Sequence, residues 1–131
     1  MFFYSTEVLE HFKNPKNVGT IPDANGIGVI GDPDCGDSLQ LYIKVENDRL
    51  VDVKYLIKGC PAAIAVASAL SVLVKGKTLF EAQEITDDDV VKALGGLPEI
   101  KLHCSNLGAN ALYLAIKDYF DRKGRTIKIK G

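Results

Sequence analysis

From residue 38 to 46 the chain alternates strictly, with Leu39, Leu41, Ile43 and Val45 on one side and Gln40, Tyr42, Lys44 and Glu46 on the other. A period of two marks a strand with one buried face. Residues 51–57 alternate again, setting Val51, Val53, Tyr55 and Ile57 on one face, and Asn47-Asp48 between the two runs signals a hairpin turn. A slip of one residue would turn every side chain to the wrong face, so the register can be argued. A two-residue loop at Asn47-Asp48 would oppose Ile43 to Asp52 and Leu41 to Lys54, mixing apolar with charged. A three-residue loop, Asn47-Asp48-Arg49, pairs Val45 with Val51, Ile43 with Val53, Leu41 with Tyr55 and Leu39 with Ile57, and this register is expected. A shorter strand over 27–30 precedes the hairpin.

The rest of the pattern is helical. Ser5 is placed to cap a short helix whose apolar face is Val8, Leu9 and Phe12, and Asn14-Pro15 ends it. His11 on this helix is read as a structural residue. Breakers at Gly19, Pro22 and Asn25-Gly26 make 17–25 a loop. Residues 62–75 are apolar on most sides, with Pro61 at the first helical position and Gly76 as the stop, which predicts a core helix lying across the sheet. Thr78 with Glu81 reads as a capping box, and Thr86 before Asp87, Asp88 and Asp89 caps another short helix that ends at Gly95-Gly96. The three aspartates suit a helix start better than a cation site. Asp32, Asp34 and Asp37 lack the spacing and closing glutamate of a calcium loop. A long helix is expected over 102–122, burying Ala111, Leu112, Ala115, Ile116 and Tyr119 opposite Asn110, Lys117 and Asp121, with Gly124 as its stop. Residues 125–130 alternate weakly, as a tail or an edge strand.

Length and charge narrow the classes. A chain of 131 residues fits a single domain, 1–131, large enough to bury a core without disulfide staples. With 16 Lys and Arg against 17 Asp and Glu, it has no basic field to hold nucleic acid. The longest apolar run, 62–74, is interrupted by Ser68 and Ser71 and is too short to span a membrane. The start Met1-Phe2-Phe3-Tyr4 lacks the basic opening and long apolar stretch of an export signal. Three cysteines, an odd number, then point to a reducing, cytoplasmic setting where thiols act as ligands or nucleophiles.

Each cysteine stands in a short motif suited to presenting a side chain: Gly31-Asp32-Pro33-Asp34-Cys35-Gly36-Asp37, Lys58-Gly59-Cys60-Pro61 and Lys101-Leu102-His103-Cys104-Ser105. Extending the hairpin pairing outward sets Gly36 opposite Cys60, gathering Cys35, Asp37 and Cys60 at its open end, where opposed Cβ atoms are about 5 Å apart. Cys60 precedes one helix and Cys104, with His103, opens another, and unpaired amides at such termini favour negative charge. A small buried core thiol is the plainer reading of Cys60, though Gly59 and Pro61 fit presentation better. Together Cys35, Cys60, Cys104, Asp37 and His103 offer three thiols, a carboxylate and an imidazole. Zinc accepts four such donors, and an iron–sulfur cluster accepts three thiolates plus one weaker ligand. A cysteine-nucleophile enzyme with His103 as base ranks lower, because neighbours on a helix point about 100° apart.

Cys35-Gly36-Asp37, Gly59-Cys60 and His103-Cys104-Ser105, together with His11-Phe12-Lys13-Asn14-Pro15-Lys16-Asn17-Val18-Gly19, resemble the IscU/NifU-type iron–sulfur cluster assembly scaffolds over almost the whole chain. The resemblance implies an α+β fold of three antiparallel strands with helices packed on them. It also implies a non-enzymatic carrier that takes sulfur from a cysteine desulfurase, and Cys104, expected to open a helix beside His103 and the basic Lys101, is the expected acceptor. Such a carrier binds iron, draws electrons from a ferredoxin-type donor, builds a 2Fe-2S cluster and hands it to apo-proteins. Cys35, Asp37, Cys60, His103 and Cys104 are the implied ligands, with zinc as an alternative occupant. Glu99 in Leu97-Pro98-Glu99-Ile100-Lys101 replaces the second proline of the segment that an Hsp70-type chaperone reads in bacterial members, so that partnership is not carried over. The zinc-dependent sulfur acceptors of SufU type differ by an insertion before the third cysteine and by lacking the preceding histidine. Monomer and homodimer both stay open.

Overall fold

The computed structural model describes residues 5–31, 38–96 and 105–124. Strands β2 (Ser38–Glu46) and β3 (Arg49–Lys58) form the expected hairpin, pairing Leu39 with Ile57, Leu41 with Tyr55 and Ile43 with Val53. Nearer the turn the expectation fails. Val45 pairs with Leu50 and Glu46 with Arg49, so the loop has two residues, and the register shifts between Lys44 and Val45. Asn47 and Asp48 both adopt positive φ, 54° and 60°, the backbone of a two-residue loop whose twist suits a hairpin. A bulge absorbs the extra residue: Lys44 still pairs with Asp52, leaving Val51 unmatched and 41% exposed while Leu50 is buried in its place. Strand β1 (Gly26–Gly31) adds to the free side of β2, giving a three-stranded antiparallel sheet ordered β1-β2-β3.

Helices cover one face of this sheet. Helix α2 (Pro61–Val74) packs on β3, and α5 (Ser105–Arg122) packs on β1 and β2 and against α2. Between them lie Leu39, Leu41, Ile43, Val53 and Tyr55, all fully buried. Val66, Leu70 and Val74 of α2 are equally enclosed, each contributing about 1.5–3 kcal/mol of burial. The buried stripe of α5 is the expected one, Ala111, Leu112, Ala115, Ile116 and Tyr119. It lies very close to the sheet because β1 offers glycines beneath it. A Cβ at Gly26 would stand 2.5 Å from the Ala115 carbonyl oxygen, and one at Gly28 would collide with the Ala111 carbonyl. Asp118 of α5 accepts the Ile27 amide at 2.9 Å and holds Arg122 through its other contact, so the helix also satisfies part of the edge strand.

Helix α1 (Thr6–Lys13) is capped by Ser5, as expected, and lies on α2. Its apolar face is not the expected one. Val8 is buried, but Leu9 and Phe12 remain 41% and 38% exposed, because the helix turns His11 instead of Phe12 toward α2. The short helices α3 (Leu79–Gln83) and α4 (Asp87–Ala93) each begin with a complete capping box, Thr78 with Glu81 and Thr86 with Asp89. The outer edge of β3 is covered at two places. Residues 17–19 bond Tyr55 (Asn17 O from Tyr55 N, 3.2 Å; Gly19 N to Tyr55 O, 2.9 Å), and residues 76–77 bond Leu50 in the same manner.

Candidate metal centre

Of the five expected donors, Cys60 lies among the described residues, whereas Cys35, Asp37, His103 and Cys104 lie outside them. Cys60 is the N-cap of α2, with extended backbone (φ −75°, ψ 169°), and Pro61 follows at the first helical position. Its carbonyl accepts the Ile64 amide at 3.1 Å, closing the first turn, but its thiol makes no capping bond to the helix amides. The thiol is partly buried against the core, a placement between the presented and the core-thiol readings. Among the described residues no three His, Cys, Asp or Glu side chains stand together as a metal-holding group.

The described elements nevertheless fix where the cysteine-bearing segments begin and end. Ser38 pairs with Gly31 on one side and Lys58 on the other, so β1 leaves, β2 enters and β3 leaves at one end of the sheet. Gly31 and Ser38, the described residues on either side of segment 32–37, therefore stand at the end at which β3 runs out toward Cys60. Helix α5 aims at the same end. It crosses β1 with Ala115 over Gly26 and Ala111 over Gly28, hence antiparallel to the strand. Four helical residues advance about 6 Å and two strand residues about 6.6 Å, so Ser105 arrives near the level of Gly31. The segment containing His103 and Cys104 precedes that point.

A polar seam that the sequence reading missed supports α2 from behind. Ser68 and Ser71 are both fully buried, one turn apart on α2. Ser68 Oγ lies 2.6 Å from His11 Nδ1 and accepts the Lys16 amide at 2.9 Å. Ser71 Oγ accepts from Asn17 Nδ2 at 2.9 Å and donates to the Ser68 carbonyl at 2.6 Å. The stretch from His11 to Gly19 is thereby fastened to α2 and to the β3 edge, and its role in this structure is to hold those elements together. Burial and the charge of Lys16 lower the His11 pKa, with Glu10 opposing them. Burial raises that of the Tyr55 hydroxyl, which Ser68 counters without reaching hydrogen-bond geometry. The available sequence signal was the pair of serines at helical spacing inside an otherwise apolar helix.

Residues 3–126 match the family model of the NifU-like N terminal domain. The chain is 54% identical over 127 residues to iron-sulfur cluster assembly scaffold protein IscU 1 of Archaeoglobus fulgidus, covering 97% of this chain and 83% of that protein. It is 50% identical over 126 residues to the scaffold protein IscU of Aquifex aeolicus, covering 95% and 80%. A crystal structure of a putative iron-sulfur cluster assembly scaffold for the SUF system of Fervidobacterium islandicum superposes with a TM-score of 0.71 at 23% identity, covering 87% of this chain and 96% of that one, a likeness of fold. The chain belongs to the NifU-like N-terminal domain family. Among the described residues no helix is long and apolar enough to cross a membrane.

Proposed function

We propose that this chain is a scaffold on which a 2Fe-2S cluster is assembled and from which it is passed to apo-proteins, with Cys35, Cys60 and Cys104 as thiolate ligands. The observation that supports it most is that Gly31 and Ser38, the α2 N-cap Cys60 and the start of α5 all lie toward one end of the sheet. The names of the Archaeoglobus and Aquifex relatives favour the same reading. Cys104 takes the sulfur: its thiolate attacks the outer sulfur of a desulfurase persulfide, the S–S bond breaks, and the desulfurase thiolate leaves. Reducing that sulfur to sulfide takes two electrons, the task of a ferredoxin-type donor. A 2Fe-2S cluster needs four protein ligands, so a fourth joins the three thiolates. Asp37 fills this role as a hard oxygen donor that holds iron less firmly and leaves it open to a recipient's cysteine. His103, or a donor from outside the chain, is the alternative fourth ligand.

Anaerobic reconstitution with ferrous iron, cysteine, a desulfurase and a reductant (a reduced ferredoxin or dithiothreitol), followed by iron, zinc and sulfide analysis, tests the reading. Wild type should bind iron and sulfide in equal amounts. Cys35→Ser, Cys60→Ser and Cys104→Ser should each abolish the visible spectrum, and mass spectrometry should find the added sulfur on Cys104. Asp37→Ala should still build a cluster but release it more slowly to an apo-ferredoxin. Zinc without sulfide, under conditions that load a known scaffold, would instead support a zinc-bound sulfur acceptor.

A further inference from the structure

Away from the sheet end discussed above, a cleft of about 440 Å³ runs between the α3 region and α5. Ala82, Gln83 and Ile85 form one wall, and Ala109, Leu112, Tyr113 and Ile116 the other. The Tyr113 ring is 54% exposed, an aromatic left at the surface beside an apolar floor. Such a combination is where binding partners anchor an apolar side chain.

The stretch that forms the first wall is acidic in sequence, although Lys77 and Arg49 stand near its capping residue Glu81. Residues 81–89 hold Glu81, Glu84, Asp87, Asp88 and Asp89, with no Lys or Arg between Lys77 and Lys92. Glu81 and Asp89 serve in capping boxes, which leaves Glu84, Asp87 and Asp88 without such work. Among the described residues none of the five forms an ion pair. On α5 the nearest cation along the helix, Lys117, is already paired with Asp121 at 3.1 Å. Burial, and after it the neighbouring charge of Asp88, push the Asp87 pKa up.

We infer that the α3–α5 cleft docks a basic segment of a partner protein, one that places an apolar side chain between Ile85 and Tyr113 and Lys or Arg against Glu84, Asp87 and Asp88. Charge selects this occupant. A second copy of the chain in a two-fold contact would bring the acidic wall against itself. Anionic lipid and nucleic acid meet the same repulsion. The inference does not depend on the cluster reading, since it uses none of the proposed ligands.

The test uses full-length protein and a labelled twelve-residue peptide of alternating Leu and Lys, with Leu/Glu and Ser/Lys peptides of equal length as controls. Amide chemical-shift mapping should place the Leu/Lys peptide on Ala82, Ile85, Ala109 and Tyr113. Its affinity, read by fluorescence anisotropy, should fall roughly tenfold in Glu84→Lys/Asp88→Lys and again on raising salt from 0.05 to about 0.5 M. Tyr113→Asp should weaken it comparably, and both controls should bind poorly. Shifts centred on the open face of the sheet, equal binding by the Ser/Lys peptide, or an unchanged affinity in both variants would overturn the inference. So would self-association of the free protein that Tyr113→Asp abolishes, since the cleft would then belong to a second copy.

Discussion

His11 Nδ1 lies 2.6 Å from Ser68 Oγ, joining the first helix to the middle of α2 across 57 residues of sequence. Ser68 Oγ already accepts the Lys16 amide, so its own proton is available to a neutral imidazole. Burial first, and then Lys16, lower the His11 pKa below its ordinary value of 6.5. The unfolded chain therefore takes up this proton before the folded one does. Stability contributed by neutral His11 is complete above the unfolded-state value and is lost as the pH falls through the folded-state value. Urea midpoints measured from about pH 7.5 to about 5.5 should drop more steeply for wild type than for His11→Gln, and parallel curves would refute the assignment. Breaking the bond in His11→Ala at neutral pH should cost about 1 kcal/mol.

Cys60→Ser separates structure from chemistry. Cys60 caps α2 without a side-chain bond to its amides, whereas serine is among the best N-caps, worth about 0.5–2 kcal/mol over residues that cannot bond. Without metal, the variant should unfold at the same or a higher temperature than wild type, while its cluster loading is lost. A large fall in apo stability would mean that the thiol is held mainly for packing.

Gly28→Ala should be costly. The new methyl would meet the Ala111 carbonyl, a backbone atom that cannot swing aside, so α5 must lift from β1. A penalty of about 1–3 kcal/mol or more is expected in urea titration. Val29→Ala, at a neighbouring exposed position, should change stability little.

Tyr55→Phe should be neutral or stabilising. The Tyr55 ring is fully buried and its hydroxyl meets no partner at hydrogen-bond geometry among the described residues, so removing the oxygen relieves an unmet desolvation cost while keeping the ring packing. Thermal unfolding that fell by several degrees would show that the hydroxyl is bonded through a buried water.

Local patterns in the sequence determined much of this protein. Alternation placed β2 at the bounds observed, and Pro61 with Gly76 bracketed α2, because strand period and helix start and stop signals act over a few neighbouring residues. The buried stripe of α5 was equally legible, since a helix has one rotation that hides Ala111, Leu112, Ala115, Ile116 and Tyr119 together. The cysteine motifs and the His11–Gly19 stretch pointed to the family that the comparisons identify. Tertiary structure decided what depends on competition between distant groups. The hairpin closed on two residues and expelled Val51, because the left-handed Asn47-Asp48 turn and the matched pairs further out could both be kept only through a bulge. Helix α1 exposed Phe12 because His11 found Ser68, a partner 57 residues away that no local pattern names. The approach of α5 to β1 likewise rests on Gly26 and Gly28 lying beneath Ala115 and Ala111. Glycine in the sequence records only that a side chain is absent, and the folded chain alone determines which backbone occupies the space.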